Sequence, residues 1–268
     1  MEALHQPLWI VEVVNLVLGP LVASLLAPLG FHFDDAHPVI PDYLVMCLIV
    51  LVGLTTLSLV LRSRLSVETP GKLQILMEDG VTFLMNLLRD FTGDKAPRYL
   101  SIVGAVGAFI LVGNLMGLVP GFMAPTSNIN VTVGCALTVA VYYHIQGVKE
   151  QGLGPYLKHF AAPPGAPLFI APIMLPIELI SHVSRVLSLS LRLFGNIFGE
   201  ELVILILFSI VPFFVPLPMM FLGIITSTLQ AFIFVMLTAI YLGGAVATEH
   251  GHEHGHEPAQ AHEHAHAH

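Results

Sequence analysis

The chain has 268 residues, 55% of them hydrophobic and 10% charged, with a net charge of −8 and a mean hydropathy of +0.82. A soluble globular domain carries about 25% Asp, Glu, Lys and Arg, so this composition belongs to an integral membrane protein. Its apolar runs are too long and unbroken for the alternating strands of a membrane barrel, and no basic stripe points to nucleic acid.

Residues 8–29 are apolar but interrupted by Glu12, Asn15, Gly19-Pro20 and Pro28, which predicts an interfacial or re-entrant helix, with a true span as the alternative. No Lys or Arg precedes Arg62, so a cleaved signal peptide is not expected. An acidic, turn-rich segment (31–42) leads into the first clear span, Tyr43 to Leu61, close to the ~20 residues a bilayer requires. From Thr69-Pro70-Gly71 onward, Leu73, Leu76, Met77, Phe83, Leu84, Leu87, Leu88 and Phe91 recur at helical spacing opposite Glu78, Asp79, Asn86 and Asp90. That pattern predicts an amphipathic helix along the membrane surface (69–92), with a soluble linker helix as the plainer alternative.

Tyr99 to Val119 is a second span, rich in glycines that permit close helix contact. An uncharged turn (120–128) joins it to a third, Ile129 to Val148, and an interfacial loop follows over 151–168. Two long helices come next, 172–210 and 218–246, joined by a proline-rich turn. The first is about 57 Å long at 1.5 Å per residue, against a hydrocarbon core of ~30 Å. It must therefore tilt strongly, kink or project. Cys47 and Cys135 lie inside apolar runs without metal or redox spacing and read as small core residues. The tail, 249–268, interleaves eight histidines with Glu, Gly and Ala. It is expected to be disordered. Its imidazoles suit weak Zn²⁺ or Ni²⁺ binding or a response to pH, against the plainer reading of a solvated extension.

Outside the first long helix every Lys and Arg falls into two groups: Arg62 through Arg98, and Lys149 with Lys158. By the positive-inside rule both loops face the cytoplasm, the N-terminus lies outside and, with five spans, the C-terminus lies inside.

The costly stretch is Pro176 to Leu207, which carries Glu178, His182, Arg185, Arg192, Asn196, Glu200 and Glu201 in an otherwise apolar helix. An Arg at the centre of a membrane helix costs about 2.5–3.5 kcal/mol on insertion scales. With Arg192 at zero on a helical wheel, Arg185 falls near +20° and Glu178 and Asn196 near +40°, beside a strip of small residues, while Glu201 falls near 180°. Glu201 is therefore expected to point toward the last helix, where Gln230 stands alone in the apolar run TLQAFIFVMLTAIYL. Arg185 is close enough to Glu178 for an internal pair to compete with a functional role. Arg192 is ~21 Å from Glu178 along a straight helix and cannot pair with it, so its counter-ion must come from another chain, or from Glu201 by bending. His182 reads either as a satisfied polar residue or as part of a proton relay.

The run LSLSLRLFGNIFGEELV, followed by TLQAFIFVMLTAIYL, resembles the signature of subunit a of the F-type ATP synthase membrane (Fo) sector. PGKLQ, GNLMGLVPG and NVTV are similar to that family as well. The resemblance spans about Tyr43 to Gly244. It implies that Arg192 is the essential stator arginine facing the carboxylates of a rotating c-ring. It also implies that Asn196, Glu201 and Gln230 belong to an outer proton path, and that Glu178 marks the inner path, with His182 bordering the same exit. Where some members carry a His seven residues before the Gln, this chain has Gly223, which shifts weight onto Glu201, with Glu200 as a substitute.

The expected fold is thus all-α and membrane-integral, with about five membrane helices, a cytoplasmic-side amphipathic helix and a long tilted C-terminal hairpin (172–246). The expected divisions are an outer-face segment (1–42), a membrane domain (43–248) and a tail (249–268). The resemblance implies a non-catalytic, proton-translocating subunit of the bacterial inner membrane, without a cofactor. Its implied partners are the c-ring, the peripheral-stalk subunit b, the rest of the F1Fo complex and membrane lipid. A proton-coupled secondary transporter is the alternative, although no internal repeat of the usual kind is present.

Overall fold

The structure is a computed structural model that describes residues 9–26, 39–66, 70–119, 121–156, 171–210 and 216–246. The acidic segment 31–42, the loop 151–168, the turn 211–217 and the histidine-rich tail fall wholly or in part outside the described residues.

Among the described residues the chain is helical and contains no strand. The helices are α1 (Trp9–Leu26), α2 (Asp42–Arg64), α3 (Lys72–Thr92), α4 (Ala96–Met116), α5 (Ile129–Gln151), α6 (Ala171–Ile210) and α7 (Pro216–Val246). Five apolar segments are long enough to cross a membrane, ending in α2, α4, α5, α6 and α7; α1 contributes only the shorter apolar stretch Ile10–Ser24.

Local sequence explains the ends. Asn128 caps α5 by accepting the Asn130 N–H at 3.0 Å, and Pro97 stands in the first turn of α4, where its missing N–H removes no helical bond. Gly93 closes α3 with φ 60°, a left-handed backbone that glycine adopts without steric cost. Arg62 and Arg64 occupy the last turn of α2, where cations complement the helix dipole.

In lipid, helices associate through close van der Waals fit and interhelical hydrogen bonds more than by escape from water. α7 is central and touches α3, α4, α5 and α6. Its Phe234, Val235, Ala239 and Leu242 are buried with Tyr99, Val103 and Ile110 of α4, Val139 and Tyr143 of α5, and Leu189, Leu193 and Ile197 of α6. Two glycines allow this approach. A Cβ on Gly107 would come within 2.6 Å of Val235, and one on Gly243 within 2.6 Å of the Phe91 carbonyl oxygen of α3.

The apolar face of α3 is divided. Leu88 is buried in this core, while Leu73, Leu76 and Phe83 remain exposed. α1 stands apart with α2 in a second cluster of Val11, Val45 and Met46, and the Asn15 side chain bonds both the N–H and the C=O of Ile40.

One end of the bundle is tied by charge. Lys95 and Arg98 both reach Glu150, at 2.6 and 2.7 Å, joining the start of α4 to the end of α5. The Gln151 amide donates to the Ala245 carbonyl at the end of α7. α6 is continuous over 40 residues, about 60 Å long and twice the hydrocarbon thickness, so it crosses at a steep slant or extends beyond the bilayer.

Candidate functional site

α6 organises the site. It buries Leu189, Leu193 and Ile197 along one stripe, at the four-residue spacing of a single helix face. Arg192 lies on the exposed side, near Leu187, Leu191 and Gly195. Only 11% of the apolar window of α6 is buried within the chain, against 39% for α5. Most of its surface is therefore available to lipid or another subunit. Among the described residues the ion pairs join Lys95 and Arg98 to Glu150 and His182 to Glu178, and none involves Arg192.

Toward the C-terminal half of α6, polar groups converge on its neighbours. The Asn196 amide donates to the Gln230 side-chain oxygen of α7 at 2.9 Å, and Gln230 is buried. Beyond them lies a narrow cavity lined by Asn114 of α4, Gly117 and Ala124 of the α4–α5 link, Glu200 and Glu201 of α6, and Ser227 of α7, among others. It measures about 10 Å³ to the centre of a water molecule, room for roughly one water. Both Glu200 carboxylate oxygens, Asn114 Nδ2 and Ser227 Oγ are buried without a protein hydrogen-bond partner among the described residues. Buried groups of this kind are ordinarily satisfied by water.

The two adjacent carboxylates have different surroundings, and the expected direction of Glu201 is corrected here. Glu201 does not turn to α7; it accepts the Ala124 backbone N–H at 2.8 Å, so it holds the α4–α5 link against α6. Gly117 makes room for this contact, since a Cβ there would meet Ala124 at 2.7 Å and the Glu201 carboxylate at 3.0 Å. The carboxylate that faces α7 is Glu200, which occupies the space above Gly223.

At the other end of α6, His182 Nε2 lies 3.2 Å from Glu178 Oε1, and His182 Nδ1 lies 2.8 Å from the Tyr143 hydroxyl of α5. The internal Glu178–Arg185 pair does not form. Arg185 instead lies over the Tyr241 ring of α7, 5.3 Å from its centroid, a cation–π contact. The reason is spacing: four residues bring His182 one turn from Glu178, while seven carry Arg185 two turns away, ~10 Å along the axis.

A family model described as ATP synthase A chain matches residues 43–243. The chain belongs to this family. A relative named ATP synthase subunit a from Citrifermentans bemidjiense is 46% identical over 229 residues, covering 85% of this chain and 95% of its own. The same name, identity and coverage apply to a relative from Geobacter sp. strain M21, and one from Geobacter sulfurreducens is 41% identical over 227 residues.

Within this A chain family member, the residues singled out from the sequence separate into three places along α6. Asn196, Glu200 and Glu201, with Gln230, form one polar group; Glu178 and His182 form another; Arg192 stands between them. Sequence reasoning missed Asn114, Thr126 and Ser227. The Thr126 hydroxyl donates to Asn114 Oδ1 at 2.5 Å, which leaves the Asn114 amide toward the cavity. Asn114 and Gly117 lie inside the quoted GNLMGLVPG, so the signal was present, but nothing in the linear pattern said that this corner faces Glu201.

Proposed function

We propose that this chain is the stator subunit of an F-type ATP synthase membrane sector, conducting protons to and from a rotating ring of carboxylates through two offset half-channels. On this reading Asn196, Glu200, Glu201, Gln230 and Asn114 serve the outer half-channel, Glu178 and His182 the inner one, and Arg192 separates them. The observation that carries the reading is the position of Arg192, exposed between the two polar groups and without a carboxylate partner among the described residues.

The chemistry follows from solvation. A protonated carboxyl can face lipid, whereas a carboxylate cannot without a penalty of many kcal/mol. A ring carboxylate loses its proton at one half-channel, passes Arg192 while ionised, and regains a proton at the other. Arg192 does not deprotonate in proteins, so it stabilises the anion and repels a proton that would short-circuit the two paths. From Glu178 to Glu201 is ~34 Å along α6, and the buried Leu189 and Leu193 lie between. A proton entering at one end must ride the ring around to reach the other. Each crossing yields about 2.3 kcal/mol per 100 mV, which appears as torque.

The same reading gives a multi-pass protein of the bacterial inner membrane with its N-terminus outside and its C-terminus cytoplasmic. Its partners are the c-ring, subunit b and the remaining F1Fo subunits. A secondary transporter is disfavoured because the polar groups gather along one hairpin and its neighbours, where transporters of that class build their sites between repeated halves. Solubilisation in mild detergent tests the assignment. The chain is expected to co-isolate with a ring of small helical subunits bearing a mid-membrane carboxylate and with a soluble ATPase, and isolation without them contradicts it.

A further inference from the structure

The inner polar group continues beyond Glu178 and His182. His144 of α5 lies against His182, with ring centroids 4.8 Å apart. Its Nδ1 is 2.6 Å from the Tyr156 hydroxyl. Tyr156 follows α5 in helical backbone, described over residues 153–156, and is buried. It can fold back onto α5 because residue 147 is glycine; a Cβ there would meet the Tyr156 ring at 2.6 Å.

We propose that His144 and Tyr156 are positioning residues of the inner half-channel, holding the His182 imidazole between Glu178 and Tyr143 and setting the cytoplasmic-side pH at which protons are released. The inference rests on the functional reading above and extends it to two residues that reading does not use.

The hydrogen-bond chemistry is directional. An ionised Glu178 only accepts, so His182 Nε2 carries the hydrogen toward it, and the Tyr143 hydroxyl donates to Nδ1 of the neutral ring. This partner fixes the tautomer, and the His144 ring blocks the imidazole from turning away. Burial pushes the Tyr156 phenol up to about 12, so its O–H is retained at working pH. Its bond to His144 Nδ1, made as donor or acceptor according to the tautomer, ties the protonation of that ring to its orientation. A charge on either imidazole is felt by the other at this separation. Removing the bond that orients one therefore changes the pH range over which the other titrates. The remaining charged and titratable groups facing the pair among the described residues are Glu178 and Arg185 of α6, Tyr143 of α5 and Tyr241 of α7. Arg185 is fixed over the Tyr241 ring rather than neutralised by Glu178.

The test uses the whole complex in inside-out vesicles, where the medium is the cytoplasmic side. ATP synthesis is measured against medium pH at fixed luminal pH, and against luminal pH at fixed medium pH. Tyr156→Phe keeps the ring that rests on Gly147 and removes only the hydroxyl. It is expected to assemble normally and to move the midpoint of the medium-pH profile by about half a unit or more, with the luminal profile unmoved. His144→Gln is expected to move the same profile, and combining it with Tyr156→Phe to add little, since Tyr156 acts through His144. A wild-type medium-pH profile in Tyr156→Phe overturns the proposal. So does failure of Tyr156→Phe to assemble, which would make the hydroxyl a structural bond. Normal pumping by Arg192→Ala removes the underlying reading whatever His144 does. A coupling-dead Arg192→Ala beside an unshifted Tyr156→Phe removes this inference alone.

Discussion

Glu200 of α6 fills the space that any side chain at position 223 of α7 would need: a Cβ built on Gly223 overlaps the Glu200 carboxylate. The two positions share one volume, and the residue on one helix limits what the other can be. Gly223→Ala is expected to overfill this corner and destabilise the subunit by about 1–3 kcal/mol. The loss should be smaller in a Glu200→Ala background. Thermal stability of the assembled complex for the two singles and the double checks this; equal losses in both backgrounds would mean the side chains do not compete.

Glycines elsewhere make a contrasting pair. Gly243→Ala drives a methyl group toward the Phe91 backbone oxygen, which cannot rotate away, whereas Gly53 of α2 has nothing within 4 Å of an added Cβ. Gly243→Ala should sharply reduce the amount of subunit in the membrane, and Gly53→Ala should leave it unchanged or raise it slightly through helix propensity. Quantitative immunoblots of membranes are sufficient to compare them.

The spans were legible because each is a near-continuous apolar run of the required length. The wheel set Arg192 beside a strip of small residues and opposite Glu201; that it lies off a buried stripe of Leu189, Leu193 and Ile197 is visible only in the packing. Tertiary contacts were not legible. The wheel separates Glu200 from Glu201, yet which of them meets α7 depends on where the α4–α5 link docks, and that link carries no charge to announce itself. The contact of Arg185 was not legible for a related reason: a linear reading left the Glu178 pair and a functional role both open, weighing charge against charge, and does not see the Tyr241 ring arriving from α7.

The Asn196–Gln230 bond links the two helices of the hairpin. Interhelical hydrogen bonds in membranes contribute about 0.6 kcal/mol on average and up to about 1.7. Asn196→Leu and Gln230→Leu should each slow proton transport, and a double-mutant cycle on stability should return a coupling in that range. Strict additivity would show that the bond contributes nothing to the fold.

Glu201→Gln keeps an oxygen for the Ala124 N–H while removing the group that can exchange a proton. The variant is expected to assemble normally and to slow proton entry from the outer side, flattening the dependence of synthesis on luminal pH. Wild-type rates across that pH range would exclude Glu201 from the path and leave it the role of anchoring the α4–α5 link.

The central claim is that Arg192 meets an anion supplied by a moving partner. It is tested most directly by ATP-driven acidification of vesicles reconstituted with the complete complex carrying Arg192→Ala. The account predicts normal assembly and no coupled pumping; acidification at the wild-type rate would contradict it.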